Sequence, residues 1–241
     1  MSKVKISYWS DYACPYCYIG EKRMKNLLKE LNLADKFEFI FRCFELNPSA
    51  SKNVLSKTDE RFAKKYNISI EQARKTIENI NKLGKEEGIN FKYESTLYTN
   101  TYDAHRLTKL IQSKGNNENT EKLIYLLYDA YFTKNLKLSD KNVLIDIGNQ
   151  VGCSKNEIEK LLDNDDFGKD VRKDEEDAYI EGIHGVPYFI IDNEYVINGA
   201  EDKETMKNKL LNVLNKKEKE KESHDNFDGM KCGPDGCFIK K

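Results

Sequence analysis

Two cysteines separated by two residues carry the clearest chemistry in this sequence. They are Cys14 and Cys17, in the stretch YACPYCYIG at residues 12–20. A pair at this spacing can form a reversible disulfide, or it can supply two thiolate ligands to a metal such as zinc. The elements that hold the pair decide between these two roles.

The cysteine pair follows a predicted strand and begins a predicted helix. Alternating apolar residues predict the strand at Val4, Ile6 and Tyr8. Apolar residues at helical spacing predict the helix from Met24, Leu27, Leu28 and Leu31. A second strand is predicted in KFEFIFRCFEL, residues 36–46, where apolar residues on both faces favour a central place in a sheet. Strand, helix and strand in this order indicate a βαβ unit, the context in which a Cys-x-x-Cys pair is typical of redox chemistry.

The position of Cys14 at the start of the helix also favours redox chemistry. Pro15 suits the first turn of a helix, where its missing N–H is not needed, so Cys14 falls at or near the N-cap. Free backbone N–H groups and the helix dipole stabilise a thiolate there, and such sites bring the pKa of a cysteine from about 8.5 to roughly 3.5–7.5. Cys17, one turn later, can close a disulfide with Cys14 or resolve a mixed disulfide. We therefore predict Cys14 as the attacking thiol and Cys17 as the resolving thiol.

The composition narrows the classes of function. The 241 residues include 40 basic and 41 acidic side chains mixed along the chain, so the formal net charge of −1 does not suggest a nucleic-acid partner. No apolar run approaches the roughly 18–20 residues of a membrane span, and the N-terminus lacks the apolar region of a secretory signal. We therefore expect a cytoplasmic protein with no membrane partner, in a compartment where structural disulfides are rare.

The middle of the chain, residues 49–167, predicts helices only. Two capping boxes open helices there, Ser69 with Gln72 and Ser154 with Glu157. The run LIYLLYDAYF, residues 123–132, is apolar on most sides and is predicted as the buried centre of this helical domain.

Strands return near residue 180. A hairpin is predicted from Tyr188–Ile191 and Tyr195–Ile197, followed by a final helix. The predicted organisation is an α/β domain in two halves, residues 1–48 and 168–215, separated by the helical insertion at 49–167. Residues 216–241 are predicted as a solvated charged linker and a tail that contains Cys232 and Cys237.

These motifs together resemble the thioredoxin superfamily. CPYC follows a first strand, GVPYF occurs late in the chain at residues 185–189, and the large helical insertion is similar to that of the DsbA type. The segments FELNP, NTYDAHRL and GIHGVPYFII, at residues 44–48, 100–107 and 182–191, resemble the cytosolic FrnE-like branch. The resemblance implies a thioredoxin fold with an all-helical insertion domain, and an oxidoreductase or isomerase acting on protein disulfides without a required cofactor.

The resemblance also implies that the loop around Pro187 lies beside the cysteine pair. The Val186–Pro187 peptide would be cis, with its backbone beside the cysteine pair and available to a bound substrate chain. Val186 would tune how mixed disulfides and metals are accepted. His184 precedes this loop and, if protonated, could stabilise the thiolate of Cys14; an exposed loop histidine is the alternative.

His105 and the other cysteines carry weaker signals. His105 lies in NTYDAHRL, and we predict a structural or substrate-groove role for it rather than a catalytic one. Cys43 and Cys153 are predicted as buried, inert thiols. Cys232 and Cys237 flank the small residues of CGPDGC, and in the FrnE-like group a tail pair of this spacing looks like a second redox element. A disordered tail and a zinc site shared by four cysteines are the alternatives.

Two other functions stay open at this point. Glutathione transferase kappa and hydroxychromene-carboxylate isomerases share the architecture and bind glutathione, but they usually carry serine at the position of Cys14. Glutathione is accordingly a candidate co-substrate. A non-enzymatic module that binds a metal or a small molecule is the alternative from a different class.

Overall fold

The computed structural model describes residues 3–228, 230–233 and 236–239. Its first half contains β1 (Val4–Ser10), α1 (Pro15–Glu30), β2 (Phe37–Cys43), α2 (Thr58–Tyr66), α3 (Ile70–Glu86), α4 (Tyr102–Ser113) and α5 (Asn117–Phe132). The second half contains α6 (Lys141–Asn149), α7 (Lys155–Asp163), α8 (Gly168–Ile180), β3 (Tyr188–Ile191), β4 (Tyr195–Asn198), α9 (Lys203–Asp228), β5 (Met230–Gly233) and β6 (Gly236–Ile239). None of the helices within these ranges is long and apolar enough to cross a membrane.

The main sheet has four strands in the order β2-β1-β3-β4. β1 pairs in parallel with β2 and antiparallel with β3, and β3 pairs antiparallel with β4. β1 is therefore central, and its C-terminal end leads directly into the cysteine loop. This arrangement confirms the predicted α/β thioredoxin fold with a helical insertion between β2 and β3.

The predicted central position of β2 is wrong, because β2 forms an edge of the sheet. The apolar residues on both faces of this segment are explained by two separate clusters against which they pack. Phe41 is buried in the main core, whereas Phe44, just past the strand, packs in a smaller cluster with Trp9 and Ile183. Asp174 of α8 covers the open edge by accepting a hydrogen bond from the backbone N–H of Cys43 at 2.8 Å.

The helical insertion forms as its sequence pattern predicts. Ser69 and Ser154 both close capping boxes at the starts of α3 and α7. Most of the predicted apolar centre in α5 is buried, and its side chains below 1% exposure are Leu123, Leu127, Tyr128, Tyr131 and Phe132. Burial of large apolar side chains at about 25 cal/mol per Å² is the main contribution to the stability of such a domain.

The predicted hairpin near residue 190 is confirmed. β3 and β4 are joined through Asp192 and Asn193, whose φ angles of 55° and 58° lie in the left-handed region. Asp and Asn tolerate this region, and it matches the twist of a tight hairpin.

The predicted charged linker after residue 215 is wrong, because α9 continues to Asp228. Lysine and glutamate are good helix formers, and Lys216 forms ion pairs with Glu194 of the hairpin turn and with Glu220 one turn ahead. The first half of α9 is anchored by Met206, Leu210 and Val213, all buried. A segment with few apolar residues is therefore helical as an extension of a helix that is already anchored.

Candidate redox site

Cys14 occupies the N-cap of α1, as the sequence predicts. β1 ends at Ser10, and the loop turns back through a hydrogen bond from the N–H of Cys14 to the carbonyl of Asp11 at 3.0 Å. The backbone of Cys14 is extended, with φ −98° and ψ 112°, and Pro15 begins the helix. The sulfur therefore lies at the positive end of the helix dipole, where an anion is stabilised.

The two thiols of the pair have different surroundings. Cys14 is 5% exposed, whereas Cys17 is completely buried, and both are free thiols. Burial raises the pKa of Cys17 well above its usual value, and its hydrogen bond with Cys14 raises it further. Cys17 is therefore held as a neutral thiol beneath Cys14.

The Val186–Pro187 peptide is cis and lies directly against the cysteine pair. The Sγ of Cys14 is 3.5 Å from the carbonyl oxygen of Val186. Gly20 of α1 permits this approach, because a β-carbon at Gly20 would lie only 3.1 Å from Cγ of Pro187. The cis peptide and Cys14 thus lie side by side.

Asp11 anchors the loop before Cys14 through hydrogen bonds, a role that the sequence did not predict. Its carboxylate accepts hydrogen bonds from the backbone N–H of Ala13 at 3.1 Å, from the N–H of Leu46 at 2.7 Å and from the hydroxyl of Thr101 at 2.9 Å. Asp11 is 1% exposed. It joins the cysteine loop, the segment after β2 and the start of α4, so it links both halves of the site.

The chain matches the DSBA-like thioredoxin domain over residues 5–211. It belongs to the DSBA-like thioredoxin family. The crystal structure of the probable DsbA oxidoreductase SCO1869 from Streptomyces coelicolor has a TM-score of 0.82 and 27% sequence identity, and the match covers 99% of this chain and 100% of SCO1869. The uncharacterized protein YwbO of Bacillus subtilis strain 168 is 27% identical over 217 residues, which are 89% of this chain and 99% of YwbO.

A 2-hydroxychromene-2-carboxylate isomerase shares the fold. Its TM-score is 0.66 at 11% sequence identity, and the match covers 90% of this chain and 98% of the isomerase. Identity at this level shows the fold alone.

In this DSBA-like chain His105 lies in the interior. It is completely buried, its ring centroid lies 4.9 Å from that of Tyr12, and its Nε2 is 3.6 Å from the carboxylate of Asp11. Neither ring nitrogen has a hydrogen-bond partner among the described residues. Of the two predicted roles, structural and groove, the position of His105 favours the structural one.

The other weak candidates, His184, Cys43 and Cys153, do not join the redox site. His184 is exposed, and within the described ranges no hydrogen bond or ion pair joins it to the cysteine pair. Cys43 and Cys153 are buried, as predicted, and burial raises the pKa of both thiols. Neither has the character of a reactive thiolate.

The tail cysteines lie on two strands that pair with each other. Cys232 on β5 and Cys237 on β6 are direct partners in the antiparallel register. Their side chains, and Pro234 between them, lie outside the described residues. Among the residues that are described, no three His, Cys, Asp or Glu side chains lie together as a metal site would require.

A cavity of about 790 Å³ opens beside Cys14. It is lined by the start of α1, with Cys14 and Tyr16, and by α2 of the helical insertion, with Arg61 and Phe62. Large apolar side chains that are at least 40% exposed surround it: Tyr16, Leu46, Leu55 and Tyr66. Most of the residues that line the cavity beside Cys14 therefore belong to the helical insertion.

Proposed function

We propose that this DSBA-like chain is a protein thiol–disulfide oxidoreductase that works through Cys14 and Cys17. The observation that carries the proposal is the position of Cys14, at the N-cap of α1 and 3.5 Å from the carbonyl of Val186, with the buried thiol of Cys17 one turn later. This geometry provides a stabilised nucleophile, a surface for a substrate backbone and a second thiol to complete the exchange.

The exchange proceeds in two steps. The thiolate of Cys14 attacks one sulfur of the substrate disulfide, a Cys14–substrate disulfide forms, and the second substrate sulfur leaves as a thiolate that takes up a proton. Cys17 then loses its proton, attacks the sulfur of Cys14 and releases the first substrate sulfur as a thiol. Two electrons pass from the dithiol to the substrate, and the reverse sequence oxidises a substrate dithiol.

The buried state of Cys17 makes the second step depend on pH. Because burial raises the pKa of Cys17 well above its usual value, its thiolate fraction rises about tenfold per pH unit through pH 6–8. We expect release of substrate from the preformed Cys14 mixed disulfide to accelerate by the same factor, measured by quenched-flow alkylation. A plateau below pH 8 would contradict a raised pKa at Cys17.

Redox titration tests the proposed function directly. The protein is equilibrated in graded glutathione buffers, quenched with an alkylating mass tag, and analysed by position. We expect Cys14 and Cys17 to change together as a two-electron couple, with Cys43 and Cys153 unchanged. If Cys14 and Cys17 stay unreactive until a chelator is added, the pair is a metal site and the proposal is wrong.

The same titration addresses Cys232 and Cys237. Their opposed register in the β5–β6 hairpin supports the proposal that they form a second redox pair. We expect Cys232 and Cys237 to be oxidised together, with a midpoint potential different from that of Cys14 and Cys17. Independent alkylation of each thiol would overturn this proposal.

The proposal includes a cytoplasmic location, protein thiols and disulfides as partners, glutathione as a possible co-substrate and no organic cofactor. The FELNP, NTYDAHRL and GIHGVPYFII segments support the FrnE-like branch. The shared fold of the chromene-carboxylate isomerase raises glutathione-dependent isomerisation as a second candidate. Cys14 opposes it, and a Cys14→Ser variant separates the two, since only disulfide exchange requires the sulfur.

A further inference from the structure

Arg61 differs from the other five arginines of the chain in its surroundings. Each of those five forms an ion pair with a carboxylate: Arg23 with Glu87, Arg42 with Asp174, Arg74 with Asp59, Arg106 with Asp103, and Arg172 with Glu45. Among the described residues Arg61 pairs with none. Its Nε and Nη2 are buried without a hydrogen-bond partner.

Aromatic rings hold Arg61 in place without neutralising it. The guanidinium carbon lies 4.2 Å from the ring centroid of Tyr98 and 6.0 Å from that of Phe62. Burial raises the pKa of Tyr93 to about 12, so the phenol beside Arg61 stays neutral. A guanidinium is always charged at physiological pH. Arg61 is thus a partly buried cation with unsatisfied donors and no counter-charge among the described residues.

Arg61 lines the same cavity as Cys14. The other charged residues of the lining are Glu60, Lys64 and Lys65, so the cavity carries a net positive charge. The carboxylate of Glu60 is already engaged, since it accepts the backbone N–H of Lys57 at 3.1 Å. A ligand that brings an acceptor with a negative charge therefore complements the cavity.

We propose that Arg61 binds a carboxylate of the substrate and selects polypeptides that carry an acidic residue near the reacting cysteine. This inference rests on the proposed function and deepens it by naming the substrate class. A carboxylate is planar and accepts two parallel hydrogen bonds from a guanidinium, which matches the two unpartnered donors Nε and Nη2 of Arg61. Because both nitrogens are buried, binding requires the side chain of Arg61 to turn toward the cavity that it lines. The apolar residues Leu46, Leu55 and Tyr66 around the cavity fit an extended chain better than a small thiol.

The redox step itself is unchanged by this recognition. Cys14 forms a disulfide with one substrate sulfur and the other substrate sulfur departs as a thiolate. The acidic residue only holds the substrate in the cavity while this bond exchange occurs, so Arg61 determines specificity and is not a catalytic residue.

Peptides with matched charge differences test the inference. Five-residue peptides with a central cysteine are joined as symmetrical disulfides, with one Glu or one Gln at each flanking position in turn. The second-order rate constant with the reduced protein is measured for every peptide. For at least one position we expect the Glu peptide to react roughly tenfold faster than its Gln counterpart, as a charge-assisted hydrogen bond predicts.

Variants assign this preference to Arg61. Arg61→Gln is expected to bring the Glu/Gln ratio to about one, whereas Arg74→Gln, an exposed arginine on α3, retains the wild-type ratio. Arg61→Lys keeps the positive charge but lacks the planar guanidinium, so it is expected to retain part of the preference for the Glu peptide. If the Arg61 variants do not fold, the wild-type ratio in about 0.5 M salt decides, because a buried pair persists where surface attraction is screened.

The outcomes separate the two proposals. Equal rates for Glu and Gln peptides at all positions, or a ratio that survives in Arg61→Gln, would overturn the role of Arg61 and leave the redox function intact. No reaction with any disulfide peptide would overturn the proposed function itself.

Discussion

Replacement of Cys14 by serine is expected to lower the rate of disulfide exchange by at least about a thousandfold, because a hydroxyl cannot act as the attacking thiolate. The reduction of a fluorescent peptide disulfide by the protein, with excess dithiol as the source of electrons, provides the measurement. Residual activity within tenfold of the wild type would show that another thiol carries the reaction.

Cys17→Ser separates the two steps of the exchange. The variant retains Cys14, so the first step proceeds, but the mixed disulfide has no resolving thiol and is expected to accumulate. Intact mass spectrometry without reductant detects the covalent complex. Cys153→Ala serves as the matched cysteine control, since Cys153 is buried and lies between α6 and α7 of the helical insertion. This variant is expected to form no such complex and to keep wild-type activity.

Replacement of Asp11 by alanine is expected to destabilise the fold by about 2 kcal/mol or more. The change removes the acceptor of the buried N–H of Ala13 and of the partly buried N–H of Leu46, and a fully buried unsatisfied group costs about 1–3 kcal/mol. Urea unfolding monitored by circular dichroism gives the free energy. Because the loop before Cys14 loses its anchor, the exchange rate is expected to fall as well.

Thr101→Val is the matched control for Asp11. It removes only one donor to the carboxylate and leaves both backbone hydrogen bonds, so a loss of about 1 kcal/mol is expected. Equal destabilisation by the two variants would mean that the hydroxyl, and not the backbone anchoring, carries the contribution of Asp11. Asp11→Asn, which keeps the size and one acceptor oxygen, extends the comparison if the alanine variant does not fold.

The parts of the site that the sequence predicts are those set by local interactions. The N-cap position of Cys14 follows from Pro15, its immediate neighbour, and the capping boxes at Ser69 and Ser154 depend on residues three positions apart. Such interactions form whenever the local segment is helical, so a single sequence is sufficient to find them.

The parts that the sequence does not predict depend on distant segments. Asp11 receives two of its hydrogen bonds from residues 35 and 90 positions away, and Arg61 and Cys14 line one cavity although they belong to separate elements. The edge position of β2 also depends on a distant residue. Asp174 of α8 accepts a hydrogen bond at this edge from Cys43, which lies 131 residues earlier. Polar residues beside a motif, such as Asp11 before CPYC, are the signal that would have suggested a buried anchor.

The continuous helix α9 changes how the tail cysteines relate to the rest of the chain. At a rise of about 1.5 Å per residue its 26 residues form a rod about 39 Å long, anchored at its N-terminal half. A rod of this length does not sample a sphere as a flexible tether of 26 residues would, so it confines the point at which the chain leaves the helix. The position of Asp228 is therefore set by the length and direction of α9, and insertion of a single turn would displace it by about 5 Å.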